Sequence, residues 1–162
     1  MNAAILTAVA TFAAAFCTLW AAHSFGDHWI QTHFQAITKG APGWGGRLAC
    51  LRHVATLTAT KVIALGLVVL MTGLRLPLLA TAAALTVDAA SHYWADRSAY
   101  HADRRGAVTL ERLADRLGKG DFYRLGIGTA APCGTGAYAL DQAWHHLWIF
   151  LTALAIAAGG AG

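Results

Sequence analysis

The sequence predicts an all-α integral membrane protein: a four-transmembrane-helix bundle with a polar cytoplasmic loop containing a short amphipathic helix. Three observations predict it. Of 162 residues, 57% are apolar and only 12% are charged, about half the charged share of a soluble domain. Four segments are apolar over the ~20 residues needed to cross a hydrocarbon core. The one markedly polar stretch falls between the third and fourth of them. A chain of this length is expected to form a single membrane domain, 1–162.

The first span is placed at 3–24, with a polar-striped helical extension to about 37. No charge occurs from Met1 to Ala22 and no basic leader precedes the apolar run, so it reads as a retained helix, not a cleaved signal. Gly40, Pro42, Gly43, Gly45 and Gly46 mark a loop. The second span, 53–74, ends at "GLRLP", and the third occupies 76–96. The polar loop follows at 97–136. Within it "TLERLADRLGK" has Thr109 as a helix N-cap and Leu110, Leu113 and Leu117 on one face, suited to the membrane interface or the bundle end. The fourth span, 137–158, leads into a Gly/Ala tail.

Basic residues orient the bundle. Lys39, Arg47 and Arg52 lie between the first two spans, and Arg97, Arg104, Arg105, Arg112, Arg116, Lys119 and Arg124 between the last two. The other side has only Arg75. The positive-inside rule therefore predicts a multi-pass protein of the cytoplasmic (inner) membrane, with both basic loops in the cytoplasm and both termini outside. Asp103, Glu111, Asp115 and Asp121 interleave with the loop cations, so membrane lipids suit this segment and nucleic acid does not. Cys17, Cys50 and Cys133 have no metal-like spacing and imply no disulfide framework. Homo-oligomerisation is left open.

Polar residues within the spans carry the functional signal. His23, Asp27 and Gln31 fall near the inner end of the first helix, and His53 opens the second. Asp88, His92 and Asp96 lie in the third, and Asp141, Gln142, His145 and His146 begin the fourth. On the predicted topology all lie at the cytoplasmic side. The outer halves of the same spans carry no acid, no histidine and, Arg75 apart, no base. His23/Asp27, Asp88/His92, His92/Asp96 and Asp141/His145 are spaced i, i+4, which puts each pair on one helical face. An aspartate at the centre of a lipid-facing helix costs roughly 2.5–3.5 kcal/mol, so these faces are expected to turn inward onto a compensating group.

A divalent metal is the simplest such group. Imidazole with carboxylate suits zinc first, with iron or manganese as alternatives. His23, Asp27, His53, Asp88, His92, Asp96, Asp141 and His145 are the candidate ligands. They exceed one tetrahedral shell, so one or two ions are expected. Asp88 and His92 are the central pair, and Asp96 is a ligand or an interfacial partner. Asp27, Asp88 and Asp141 are candidate general bases, with Gln31, Gln142 and His146 supporting the ligands. His28 lies off the main stripe, and His33 and His101 are assigned to loops or the interface without a role. The tryptophans read as interfacial anchors.

The series "HSFGDHWIQ", His53, "DAASHYWAD" and "DQAWHH" resembles a family of small uncharacterised bacterial multi-helix membrane proteins, whose members carry a similar ordered H-x3-D-x3-Q, H, D-x3-H-x3-D and D-Q-x2-H pattern. His28 departs from it, as does the long 97–136 loop. More distantly, "SHYWAD" is similar to an element of the membrane-bound metal-dependent hydrolases, and that resemblance implies that His92 and Asp96 are metal ligands. The expected function is metal-dependent hydrolysis of a lipid or other amphiphilic ester or phosphoester. Cation or proton transport, a non-enzymatic accessory subunit and haem-based redox chemistry are the alternatives.

Overall fold

The computed structural model describes residues 2–101, 108–128 and 134–160, and among them every regular element is helical. Helix α1 (Ala3–Phe25) runs into a π-helical turn at Gly26–Ile30, followed by α2 (His33–Thr38). Next come α3 (Gly43–Thr72) and α4 (Leu78–His101). Two short helices, α5 (Leu110–Arg116) and α6 (Gly120–Arg124), precede α7 (Gly136–Gly159). Arg104, Arg105 and Cys133 lie outside the described residues.

The four long helices close into a ring. α1 packs on α3 and α7, and α4 packs on the same two. Each contributes a stripe at three- or four-residue intervals, the spacing that keeps side chains on one helical face. In α1 the stripe is Thr11, Ala15, Leu19, Ala22 and His23; in α3 it is Cys50, His53, Leu57, Lys61 and Leu65. Ile149, Ala153 and Ile156 of α7 meet Ala84 and Leu85 of α4. With Ala15, Leu19 and Leu65 they form one apolar core, flanked by Phe12 and Phe16. The rings of Phe12, Phe16 and Phe150 pack at 5.5–6.2 Å.

Among the described residues, only α1, taken through its π turn to Ile30, and α3 are long and apolar enough to cross a membrane. α4 and α7 reach comparable lengths, but α4 carries Asp88, Asp96 and Arg97, and α7 carries Asp141, His145 and His146. The polar residues that mark the site are the ones that dilute these two helices.

One local expectation changes. The glycine-rich segment is not all loop, because α3 begins at Gly43 with Pro42 as its N-cap, ten residues before the expected start of the second span. A Cβ at Gly46 would collide with the Ala41 carbonyl, so only glycine lets the turn before α3 fold this tightly against the helix. Arg97 ties that turn down by donating to the Lys39 and Ala41 carbonyls at 2.8 and 2.7 Å. The predicted amphipathic helix is present as α5, with Thr109 capping the Arg112 amide.

Candidate metal centre

The π turn sets the geometry of α1 where it matters. Gln31 N–H reaches back five residues to the Gly26 carbonyl at 2.9 Å, one residue further than in an α-helix. Such turns occur frequently at functional sites. Gly26 itself lies against Leu57 of α3, where a Cβ would clash with the leucine side chain. This close approach of α1 and α3 carries Asp27 toward His53.

Asp27 Oδ1 lies 3.3 Å from His53 Nε2 and 3.9 Å from His92 Nε2. Asp96 Oδ2 lies 3.5 and 3.3 Å from the same two nitrogens, which are 3.0 Å apart. Metal–ligand bonds of about 2.0–2.2 Å in a tetrahedron place donors about 3.3–3.6 Å from one another. The five separations scatter around that value. Two sets of donors, Asp27–His53–His92 and His92–Asp96–His145, each lie within 4.8 Å of one another and share His92.

Around these, His23 is wholly buried, with its Nε2 3.4 Å from the second oxygen of Asp27. The His145 ring stacks on that of His92 at 3.9 Å, and its Nε2 faces Asp141 at 3.4 Å. His23 Nδ1 and Nε2, Asp27 Oδ1, His53 Nδ1, Asp96 Oδ2 and His145 Nε2 are buried without a hydrogen-bond partner among the described residues. Four of these atoms face an ion-pair partner at 3.3–3.4 Å and none makes a well-formed hydrogen bond, an arrangement that suits a bound cation. The chemistry of the donor set fits a borderline divalent ion better than calcium or magnesium, which favour all-oxygen shells.

No family model, no curated protein and no solved structure matches this chain. Function must be argued from the site.

The cluster opens onto a cavity of about 470 Å³ beneath α5 and α6. Asp27, Asp96 and Asp141 line it, as do Gln31, Gln142, Lys39, Tyr123 and Tyr138. Lys39 contacts Asp96 Oδ1 at 2.8 Å, leaving Oδ2 facing the histidines. Burial alone would lower the Lys39 pKa, but the charge and hydrogen bond of Asp96, with Asp27 and Asp141 behind it, hold it above the usual lysine value. Burial, then the charges of Glu111 and Asp141, push the Tyr123 phenol up, so it remains a protonated donor toward the cavity.

The expected ligands divide in a way the spacing did not foretell. His23, Asp27, His53, His92, Asp96 and His145 come together, and Asp141 stands at the cavity rim with its side chain 29% exposed. Asp88 does not join them. Its Oδ2 accepts from Lys61 Nζ at 2.6 Å, and both side chains are buried. Neither set of closely spaced donors includes Asp88, whereas Asp96 shares one with His92 and His145. Lys61 is not among the polar residues singled out from the sequence. It is among the most buried side chains in the chain, and only its place on the stripe of His53 and Leu57 signalled it.

Of the remaining histidines, His146 stands beside the cluster, its ring 5.9 Å from that of His23. His28 is exposed, and its ring nitrogens meet Ser24 O at 2.8 Å and the Tyr138 hydroxyl at 2.9 Å. His33 is exposed, and the side chain of His101 lies outside the described residues. Trp144 donates to Ser91 Oγ at 3.0 Å and packs against Trp94 and Trp148, so these tryptophans also join α4 to α7.

Proposed function

We propose that the chain is a four-span protein of the cytoplasmic membrane, with both termini outside, that holds a divalent metal at its cytoplasmic end and hydrolyses an ester or phosphoester of a lipid or other amphiphile. The observation that carries this reading is the convergence of Asp27 Oδ1, His53 Nε2, His92 Nε2 and Asp96 Oδ2, from the π turn, α3 and α4, at separations of 3.0–3.9 Å. Asp27, His53, His92 and Asp96 would hold the ion, with His145 and His23 packed beside them; zinc is the first choice and iron or manganese the alternatives. Bound there, such an ion supplies Lewis acidity and lowers the pKa of water. Lys39 holds Asp96 so that a single oxygen faces the histidines. Asp141, at the rim beside His145, is placed to take a proton from water in the cavity. Gln31 and Gln142 line the same cavity with amides that can hold the substrate's polar head.

Membrane placement is supported by the outward faces of the bundle. Leu70, Met71, Leu78 and Leu79 are 77–85% exposed, and such a band of large apolar side chains belongs in lipid. The ordered histidine–aspartate series keeps its resemblance to the small bacterial membrane family, and "SHYWAD" to the membrane-bound hydrolases, as secondary support. Elemental analysis of the detergent-purified chain tests the reading. About one equivalent of zinc, iron or manganese is expected, and no stoichiometric metal after reconstitution would sink it.

One observation favours a second reading. The buried Lys61–Asp88 pair extends the polar path beyond the histidines toward the middle of the bundle, as proton relays do. Proteoliposomes that carry a proton or cation flux abolished by Asp88→Asn would put transport ahead of hydrolysis.

A further inference from the structure

At the end of the bundle away from the histidines, beside the 73–77 connection, α3 and α4 enclose a groove of about 630 Å³. Its walls are Val62, Leu65, Val69, Leu78 and Leu85. Gly66 contributes no side chain, and a Cβ built there meets nothing within 4 Å. Two polar groups interrupt this lining. Arg75 is exposed, forms no ion pair among the described residues, and is the lone basic residue that the topology leaves on the outer side. Thr81 Oγ1 is buried in the same wall and has no hydrogen-bond partner there. The charged residues nearest to Arg75 in sequence, Lys61 and Asp88, are already paired with each other.

Thr81 Oγ1 is closed off from the groove, so what faces it is an exposed cation beside an apolar trough, the order of a phospholipid's phosphate and acyl chain. We propose that this groove binds one phospholipid, with its phosphate on Arg75 and one acyl chain lying over Gly66. The guanidinium suits a phosphate oxyanion by charge-assisted hydrogen bonds. It also accounts for a cation on the side where the positive-inside rule places few. This site rests on the membrane reading, but not on the metal or on hydrolysis.

Native mass spectrometry of the detergent-purified full chain, titrated with dioleoyl phosphatidylglycerol, tests it. One lipid should stay bound per chain after the loosely held ones are stripped. Arg75→Gln should weaken retention about tenfold, the effect of losing one charge-assisted contact. Gly66→Phe should abolish retention by filling the trough, and because that position faces open space its melting temperature without lipid should match wild type. A Gly66→Phe chain that melts normally and still retains the lipid overturns the proposal. So does a Gly66→Phe chain that turns from dimer to monomer with lipid retention unchanged, since the groove would then seat a second copy. Carbonate extraction separates the two levels. A wild-type chain released by carbonate refutes membrane embedding itself, whereas a carbonate-resistant chain that retains no lipid refutes the groove alone.

Discussion

The half of the bundle built around Leu19, Leu65, Leu85 and Ile149 and the half built around His23, His53, His92 and His145 are made by the same four helices. In the first, small and branched apolar side chains fill the space between the helices. In the second, donors are buried without partners. The contrast teaches how the second half is tolerated: apolar packing in one half holds the helices together, and the other can keep a set of polar side chains close to one another. Lys61 and Asp88 stand between the two and belong to neither. They neutralise each other, so charge enters the middle of the bundle without joining the ligand set.

The largest way to break this division is to leave one of those two charges alone. Breaking a buried ion pair by removing one partner costs about 3–5 kcal/mol. Lys61→Met and Asp88→Leu should each lower the melting temperature in detergent severely. The double variant should recover most of the loss, and its folded fraction should bind metal like wild type. Were Asp88 a ligand after all, the double variant would be stable and metal-free.

Next come matched truncations in the two halves. Leu19→Ala, in the fully packed core, should cost about 2–5 kcal/mol while leaving metal stoichiometry intact. His92→Ala should act on the metal instead. It removes the residue common to both donor sets and should abolish metal binding. It also removes a buried ring stacked on His145, so the metal-free form should melt somewhat lower than metal-free wild type. Metal content and melting temperature measured side by side would show whether the halves are as separable as their packing implies.

Much of this division was legible in the sequence, because helical periodicity alone aligns His23 with Asp27, His92 with Asp96 and Asp141 with His145. Thr109 announced α5 through its capping side chain. The choice between Asp88 and Asp96 was not legible, since both stand four residues from His92. What separates them lies on α3, where His53 stands 3.5 Å from Asp96 and no histidine faces Asp88 among the described contacts. Lys61 reaches Asp88 from α3, and Lys39 reaches Asp96 from a turn that Arg97 fastens. The start of α3 was hidden because glycines usually mark loops; here Gly46 is needed for close approach. The π turn left no periodic signal, since one extra residue in a turn is set by the contact of Gly26 with Leu57.

That contact gives a smaller test. Gly26→Ala should cost about 1–3 kcal/mol by overpacking against Leu57. By pushing α1 away from α3 it should also withdraw Asp27 from His53 and weaken metal affinity. Leu57→Val in the same chain should restore part of both. Restored stability without restored affinity, read from a metal titration, would mean that the π turn does not set the position of Asp27.

The mildest expected effect separates the cation that holds a ligand from the ligands themselves. Lys39 has its pKa raised in the folded chain against the ordinary 10.5, because Asp96, Asp27 and Asp141 together outweigh its burial. A group whose folded pKa is raised stabilises fully below its unfolded pKa, and that contribution disappears as pH climbs through the folded value. The melting-temperature difference between wild type and Lys39→Gln should therefore be constant from neutral pH to about pH 9 and shrink above about pH 10.5. Following the difference, and not either curve alone, cancels the titration of tyrosines and other lysines common to both chains. Metal affinity should fall in Lys39→Gln even at neutral pH, because Asp96 loses the contact that keeps one oxygen turned to His53 and His92. Lys39→Arg, which keeps the charge, should retain more of that affinity than Lys39→Gln. A difference that does not change between pH 7 and 11 would show that Lys39 contributes through packing and not through its charge on Asp96.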